Sequence, residues 1–189
     1  LETIAKGLGI SFANSLLLDQ KVSDAYLLFQ KVIEAAENYT KIKSWFDEVS
    51  QAALHYLKAD RIIFFQLSPG TLYPIKPPLI RPKLTDTNYD NLWPIPPRST
   101  FWKLLKRWQP EFSIDIENIQ DDDKWIQTFV SDHQVRLASF LPIGQWEPLA
   151  ALFIIYEESK LIADVDKLAL SAFATAIELS FRKINPDPS

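Results

Sequence analysis

The residues of this chain that can do acid–base or metal chemistry are few. His55 and His133 are its two imidazoles, and there is no cysteine among the 189 residues. Without cysteine the chain has no thiol nucleophile, disulfide, thiolate metal site or thioether link to a cofactor. It also lacks a glycine-rich phosphate loop, a nucleophile elbow and an HExxH motif. Because no nucleophile–base pair or metal set can be assembled, we expect a protein that is not an enzyme.

Two further candidates are His133 and the acidic residues before it. His133 could ligate haem iron or hydrogen-bond a pyrrole, but a loop histidine that faces water is the simpler interpretation. The acidic residues Asp115, Glu117 and 121–123 lack the ligand spacing and the glycine of an EF-hand. A solvated loop or a helix N-terminus explains them, so we predict no metal site.

A group of aromatic side chains is the better candidate for a binding site. Ligand pockets are concave and lined by aromatic and apolar groups with few polar ones. Core packing explains each of these side chains singly just as well, but their shared position between a short helix and the later strands favours a pocket. The predicted ligand-binding residues are Phe101, Trp102, Phe112, Asp115, Trp125, Phe129, His133 and Phe140.

The elements that must position these side chains follow from apolar periodicity and turn signals. Helical spacing and capping residues predict helices at 3–18, 23–38, 42–57, 99–107, 124–132 and 164–184. Apolar runs and alternation predict strands at 61–67, 73–80, 111–116, 137–143 and 149–156. We therefore predict an α+β fold, a central antiparallel sheet with helices on both faces.

The predicted organisation is an N-terminal helical extension, residues 1–40, followed by one domain, residues 41–185. The extension carries a short stripe of apolar residues with heptad-like spacing. This stripe would either pack on the domain of its own chain or mediate a dimer. The last helix is apolar on several faces and needs more than one packing partner. For a homodimer the predicted interface residues are Val22, Tyr26, Phe29, Ile33, Phe173, Ile177 and Phe181.

Composition narrows the class of partner. The hydrophobic content of 47% is that of a globular protein with a core, and the net charge of -4 argues against a nucleic-acid partner. No apolar run reaches membrane-spanning length and the start does not read as a signal peptide, so we expect no membrane partner and a cytoplasmic location. Because the chain begins at Leu1 and contains no Met, we expect it to be part of a longer protein.

Several segments, taken in order, resemble a GAF domain over about residues 43–184. They are RIIFFQL, IPPRSTFWKLLKRWQPEFSIDI, HQVRLASFLPI, LAALFIIYEE and the last helix. The second and third segments are similar to the branch that includes phytochromes and cyanobacteriochromes. The resemblance implies a sensory or regulatory domain that binds a small ligand or relays a signal through its terminal helices to an effector domain elsewhere in the protein.

The same resemblance locates a difference in cofactor chemistry. Those photoreceptors place Cys-His about a dozen residues before the pair equivalent to Val135 and Arg136, where this chain has residues 123–126, Asp-Lys-Trp-Ile. Covalent bilin attachment is therefore excluded. Non-covalent tetrapyrrole binding stays open, and the cofactor is unknown. The alternative function is a ligandless domain for homodimerisation or scaffolding.

Overall fold

The computed structural model describes residues 2–68, 72–75, 78–82, 99–115, 136–144, 147–157 and 161–185, with backbone alone for residues 2–14. Within these residues four helices flank a five-stranded antiparallel sheet. The helices are α1 (Glu2–Asn38), α2 (Ile42–Tyr56), α3 (Thr100–Arg107) and α4 (Asp164–Ile184). The strands are β1 (Arg61–Gln66), β2 (Leu79–Arg81), β3 (Glu111–Asp115), β4 (Leu137–Ile143) and β5 (Ala150–Tyr156).

The strand order β2-β1-β5-β4-β3 places β5 in the centre. Its seven residues are all buried, as the unbroken apolar run from 150 to 156 predicts. Every neighbouring pair is antiparallel. The predicted α+β fold, with an antiparallel sheet between helices, is therefore confirmed.

The two faces of the sheet carry separate cores. The helical layer (α1, α2 and α4) covers one face and forms the first core, which includes Leu28, Val32, Trp45, Phe46, Phe64, Leu152, Ile154, Phe173, Ile177 and Phe181. Helix α3 covers the other face and forms the second core, which includes Ile63, Phe65, Ile80, Phe101, Leu104, Leu105, Ile114, Phe140, Ala151 and Phe153. Alternate residues of β1, β4 and β5 point to opposite cores, as strand geometry requires.

A tight connection joins β4 to β5. Gly144 has φ 98°, in the region that glycine tolerates best, and a Cβ atom there would collide with the carbonyl oxygen of Glu147. The amide of Leu149 donates to the carbonyl of Ile143 at 2.9 Å. Glycine at this position therefore permits the close return that pairs the two strands.

Helix α1 differs from the prediction of two helices divided near Ser23. It is continuous from Glu2 to Asn38, and no glycine or proline interrupts residues 10–38. A serine inside such a segment does not end a helix when neither neighbour breaks it. The C-terminal half packs into the first core through Leu28 and Val32, which are buried.

The proline-rich edge is shorter than predicted. A strand was expected over 73–80, whereas β2 covers Leu79–Arg81 and an isolated bridge joins Leu67 to Pro74. Proline supplies no N–H to a strand ladder, which explains the interruption. Arg81 forms an ion pair with Asp47 and thereby ties this edge to α2. The helix predicted at 124–132 lies outside the described residues.

Candidate functional site

Helix α3 holds the aromatic candidates against the sheet. Ser99 caps it, since its Oγ accepts a hydrogen bond from the amide of Trp102 at 3.4 Å. The helix ends at Trp108, whose φ of 47° is left-handed and whose amide donates back to Leu104 and Leu105. Trp108 Nε1 donates to the carbonyl of Gly144 at 2.8 Å and ties this end of α3 to the β4–β5 connection.

Two of the predicted residues, Phe101 and Phe140, meet in the second core. The Phe101 ring lies 4.5 Å from that of Phe65 and 5.5 Å from that of Phe153, and Phe140 lies 5.3 Å from Phe153. Phe101, Phe140 and Phe65 have no exposed surface. These distances are typical of packed aromatic pairs. The rings therefore form a closed floor beneath α3.

Trp102 lies at the margin of this floor and is a third residue of the predicted set on the α3 side. It is partly buried against the second core, and its ring stands edge-on to Tyr73 at 5.3 Å. Tyr73 is 66% exposed. This pair offers a ligand on the α3 side an aromatic surface that is accessible from solvent.

A β-bulge moves Phe112 and Asp115 away from that floor. Glu111 pairs with Phe140 and Ile114 with Ala138, so β3 has one residue more than β4 between these pairs. Phe112 consequently packs against the first core, although Ile114 belongs to the second. Asp115 is exposed and opposes Leu137, a residue of the first core.

The predicted set is thus divided between the two faces of the sheet. Phe101, Trp102 and Phe140 lie on the α3 side, whereas Phe112 and Asp115 do not join them. Trp125, Phe129 and His133 lie outside the described residues. Ligand binding by these side chains stays a prediction.

Helices α1 and α4 form a parallel pair. Lys21 and Asp166 form an ion pair at 2.8 Å near the start of α4, and Glu37 and Lys183 approach to 3.6 Å near its end. The segment of α1 from Lys21 to Glu37 therefore runs beside the segment of α4 from Asp166 to Lys183 in the same direction.

An apolar surface remains exposed on this pair. Val22 and Tyr26 of α1 are 57% and 61% exposed, and Leu168 and Leu179 of α4 are 71% and 54% exposed. The stripe also includes Phe29 and Ile33, which are half-buried. Exposed apolar side chains on two packed helices are typical of interaction sites.

The predicted dimer interface needs correction on α4. Phe173, Ile177 and Phe181 are at most 2% exposed, because they fill the first core of their own chain. They are therefore unavailable to a partner. The exposed large apolar side chains of α4 are Leu168 and Leu179. Sequence reasoning missed them because a helix apolar on several faces does not reveal which face meets the sheet.

Sequence reasoning also missed a cleft in the helical layer. It has a volume of about 400 Å³ and lies where α1, the end of α2, the end of β5 and the start of α4 meet. Lys21, Lys58, Tyr156 and Asp166 are among its lining residues. Lys21 and Asp166 are 145 residues apart in the sequence, so no local spacing signals the site.

Two searches of the described residues were negative. They contain no group of three or more histidine, aspartate or glutamate side chains that could hold a metal ion. None of the described helices is long and apolar enough to cross a membrane.

Comparison with solved structures finds GAF domains. The phycoerythrobilin-bound GAF domain of a cyanobacterial phytochrome is 12% identical, with a TM-score of 0.58 over 86% of this chain and 96% of that chain. The GAF domain of a two-component sensor histidine kinase from Bacillus halodurans is 18% identical, with a TM-score of 0.54 over 72% of this chain and 92% of that chain.

A methyl-accepting chemotaxis protein, residues 122 to 287, is similar as well, with 12% identity and a TM-score of 0.59 over 85% of this chain and 99% of that chain. No protein-family model matches the sequence, and no curated protein does. Because the structural matches cover nearly all of each GAF domain named above, the chain has the GAF fold.

Proposed function

We propose that this chain is a non-catalytic sensory domain that transmits the state of its α3 side through the parallel helices α1 and α4. The single observation that carries this function is the helix pair. The two helices lie side by side and run in the same direction. Exposed apolar side chains lie on both of them. The GAF domain of a sensor histidine kinase and a chemotaxis protein among the solved structures support the same role.

The sheet supplies a path between the α3 side and the helix pair. Residues of β5 alternate between the cores, so Phe153 contacts the aromatic floor while Leu152 and Ile154 belong to the first core with α4. A ligand under α3 that displaced Phe153 would alter the surface on which α4 packs. Transmission requires that the ligand bind two arrangements of the helices with different affinity.

We propose that the exposed stripe of the helix pair binds a second copy of this chain. Val22 and Tyr26 of α1 and Leu168 and Leu179 of α4 are each more than half exposed. In a two-fold dimer the stripe would meet itself, because such an interface uses the same patch on both subunits. The paired helices would then form a four-helix arrangement and pass a shift of α4 to α1.

Sedimentation velocity at several protein concentrations tests the dimer. We expect wild type to form dimers and Val22→Glu to raise the dimer dissociation constant at least about tenfold, since a buried unpaired carboxylate opposes association. The matched control is Ile75→Glu, which places the same charge on an exposed apolar residue outside the helical layer. Equal weakening by both variants, or a monomeric wild type, would contradict the interface.

Native mass spectrometry tests the ligand on the α3 side. We expect the freshly purified chain to carry an extra mass that is lost on denaturation, and Trp102→Ala to lose it in the native state. Phe112→Ala is the matched control, because Phe112 packs against the opposite face of the sheet. Retention of the adduct by Trp102→Ala would argue against this pocket.

A ligandless dimerisation or scaffold domain is the second candidate function. The complete burial of Phe101 and Phe140 favours it, since those rings already fill the part of the second core that would receive a ligand. A chain without any adduct that dimerises through Val22 would support this candidate over the sensory one.

A further inference from the structure

We propose that the outward face of α3 is a docking surface for an anionic phospholipid bilayer. This basic surface consists of Lys103, Lys106 and Arg107, with Trp102 and its neighbour Tyr73 at the margin. The three cations do not belong to the predicted ligand set, and α3 and the helix pair cover opposite faces of the sheet. Lipid contact at this surface therefore needs neither a ligand in the second core nor a dimer.

Burial of the apolar side chains fixes the orientation of α3. Phe101 and Leu105 are 0% exposed and belong to the second core. With about 3.6 residues per turn, positions 103 and 106 lie on the side of the helix away from that core, and position 107 follows position 103 by about one turn. Lys103, Lys106 and Arg107 are exposed accordingly. Three positive charges therefore share the outward face of one short helix.

Little negative charge balances these cations. Arg107 approaches Glu111 at 3.8 Å, but both side chains are exposed, at 69% and 44%, so the pair is weak. In the described part of the chain, neither Lys103 nor Lys106 forms an ion pair with another described residue. Helix α3 itself contains no acidic residue. Like charges three and four positions apart on a helix repel each other, and an anionic partner would offset that repulsion.

The sequence concentrates positive charge around this helix. Residues 72–110 contain seven lysines and arginines and two acidic residues, whereas the rest of the chain contains 13 and 22. Charges more than about 10 Å from a membrane surface are largely screened at physiological salt. The side nearest the lipid therefore decides the attraction, and the net charge of -4 does not oppose it. The chain would approach an anionic bilayer with α3 first.

The residue types favour lipid over a protein partner. Lysine is depleted from protein–protein interfaces, whereas lysines near a membrane surface are attracted to anionic headgroups. Tryptophan and tyrosine concentrate at the boundary between membrane and water. Trp102 is half-buried and Tyr73 is 66% exposed, with their rings 5.3 Å apart. Both rings could enter the headgroup region beside the cations.

The shape of the surface agrees with this partner. The cleft in the helical layer and a second cleft of about 380 Å³ beside Trp108 are lined by none of the three cations. Small molecules and extended peptides bind in clefts or grooves, whereas a flat bilayer requires none. The contact would be peripheral and needs no membrane-spanning helix.

Flotation of the protein with lipid vesicles tests the surface. We expect binding to vesicles of phosphatidylcholine with about a third phosphatidylserine, no measurable binding to pure phosphatidylcholine, and weaker binding as salt rises from about 0.05 to about 0.5 M. Equal binding to the two kinds of vesicle, or binding to neither, would overturn the assignment. Stronger binding to poly-L-glutamate or to a DNA oligonucleotide than to the anionic vesicles would also overturn it, in favour of an acidic protein or a nucleic acid.

A pair of double variants locates the contact. Lys103→Gln with Lys106→Gln should weaken vesicle binding at least about twentyfold, since each lysine near an anionic surface contributes about fivefold. Lys41→Gln with Lys43→Gln removes the same charge from exposed residues at the start of α2 and should weaken binding less than about twofold. Circular dichroism confirms that each variant is folded. Equal weakening by the two double variants would attribute binding to the overall charge and overturn the surface.

The aromatic margin is tested in the same assay. Tyr73→Ala should weaken vesicle binding several-fold, because the ring would no longer enter the headgroup region. Tyr26→Ala, which removes a similarly exposed ring from α1, should leave binding unchanged. Greater weakening by Tyr26→Ala than by Tyr73→Ala would place the lipid contact on the helical layer and overturn the assignment to α3.

Discussion

Tyr156 is a polar residue at the end of the most buried strand. It is 3% exposed and packs in the first core, while its position in β5 brings it near Asp60 and Asp166. Loss of water disfavours the phenolate, and the two carboxylates act in the same direction. The folded chain therefore holds the proton of Tyr156 more tightly than the unfolded chain does.

Stability should consequently fall at alkaline pH. Above about pH 10 the unfolded chain releases the proton of Tyr156 and the folded chain retains it, so the free energy of unfolding decreases as pH rises. Urea denaturation at pH 8 to 11 should show a shallower loss in Tyr156→Phe than in wild type. Tyr26→Phe, which changes an exposed tyrosine, is the control. Equal slopes in all three proteins would show that Tyr156 is not responsible.

Gly144 is a second single residue on which local geometry depends. Gly144→Ala should lower the free energy of unfolding by about 1–3 kcal/mol, because its φ of 98° strains any L side chain and the new Cβ collides with Glu147. The measurement is urea denaturation monitored by circular dichroism. Gly7→Ala is the matched control, since the same change inside α1 favours the helix. A stable Gly144→Ala would mean that the connection can relax.

At the scale of elements, the strands β4 and β5 were the most predictable. Their apolar runs and short connection predicted 137–143 and 149–156, and the structure has Leu137–Ile143 and Ala150–Tyr156. The pattern failed at β3, where simple alternation places Phe112 and Ile114 on the same face. One extra residue of β3 between the pairs that it forms with β4 instead places Phe112 and Ile114 on opposite faces of the sheet. Phe112 was thereby assigned to the wrong face, since no sequence signal distinguishes a bulged strand from a regular one.

The helical layer shows a second limit of prediction from sequence. Apolar spacing predicted that α1 and α4 are helices. It could not tell which face of α4 meets the sheet, because α4 is apolar on more than one face. It also could not reveal the cleft, which depends on Ala25 and Ala169 facing the same space. Such features arise from the relative position of helices and not from the period of any one of them.

The Lys21–Asp166 ion pair should hold α1 to α4 only weakly. The two side chains are 33% and 24% exposed, so a double-mutant cycle with Lys21→Ala and Asp166→Ala should give a coupling below about 1 kcal/mol. Loss of the ion pair should nevertheless loosen α1 locally, so Lys21→Ala should raise the hydrogen-exchange rates of residues 16–28. Lys31→Ala, which removes an exposed pair with Glu34 within α1, is the control. Unchanged exchange in Lys21→Ala would mean that apolar packing alone positions α1.

At the scale of the whole molecule, the two cores share one sheet but differ in their outer surfaces. The helical layer presents exposed leucines and Tyr26 along parallel helices, whereas α3 presents Lys103, Lys106 and Arg107 to solvent. A partner that buries apolar surface would therefore approach the helical layer. A two-fold axis along α1 would bring each residue of the stripe close to its own copy.

Disulfide cross-linking tests this arrangement directly, because the chain contains no other cysteine. We expect Val22→Cys to form a disulfide-linked dimer under mild oxidation, since cysteines of a parallel helix pair near the axis can approach the Cα separation of about 4.4–6.8 Å that a disulfide requires. Non-reducing gel electrophoresis at protein concentrations above the dissociation constant measures the cross-linked fraction.

Lys31→Cys provides the geometric control for that experiment. Lys31 is exposed on the same helix but on the side facing α2, near Tyr56 and Glu48. Random collision would oxidise both variants to a similar extent, whereas a two-fold dimer along the stripe would cross-link only Val22→Cys. Rapid cross-linking of Lys31→Cys with none at Val22→Cys would instead place α1 outside the dimer axis and remove the physical basis for relaying a signal through it.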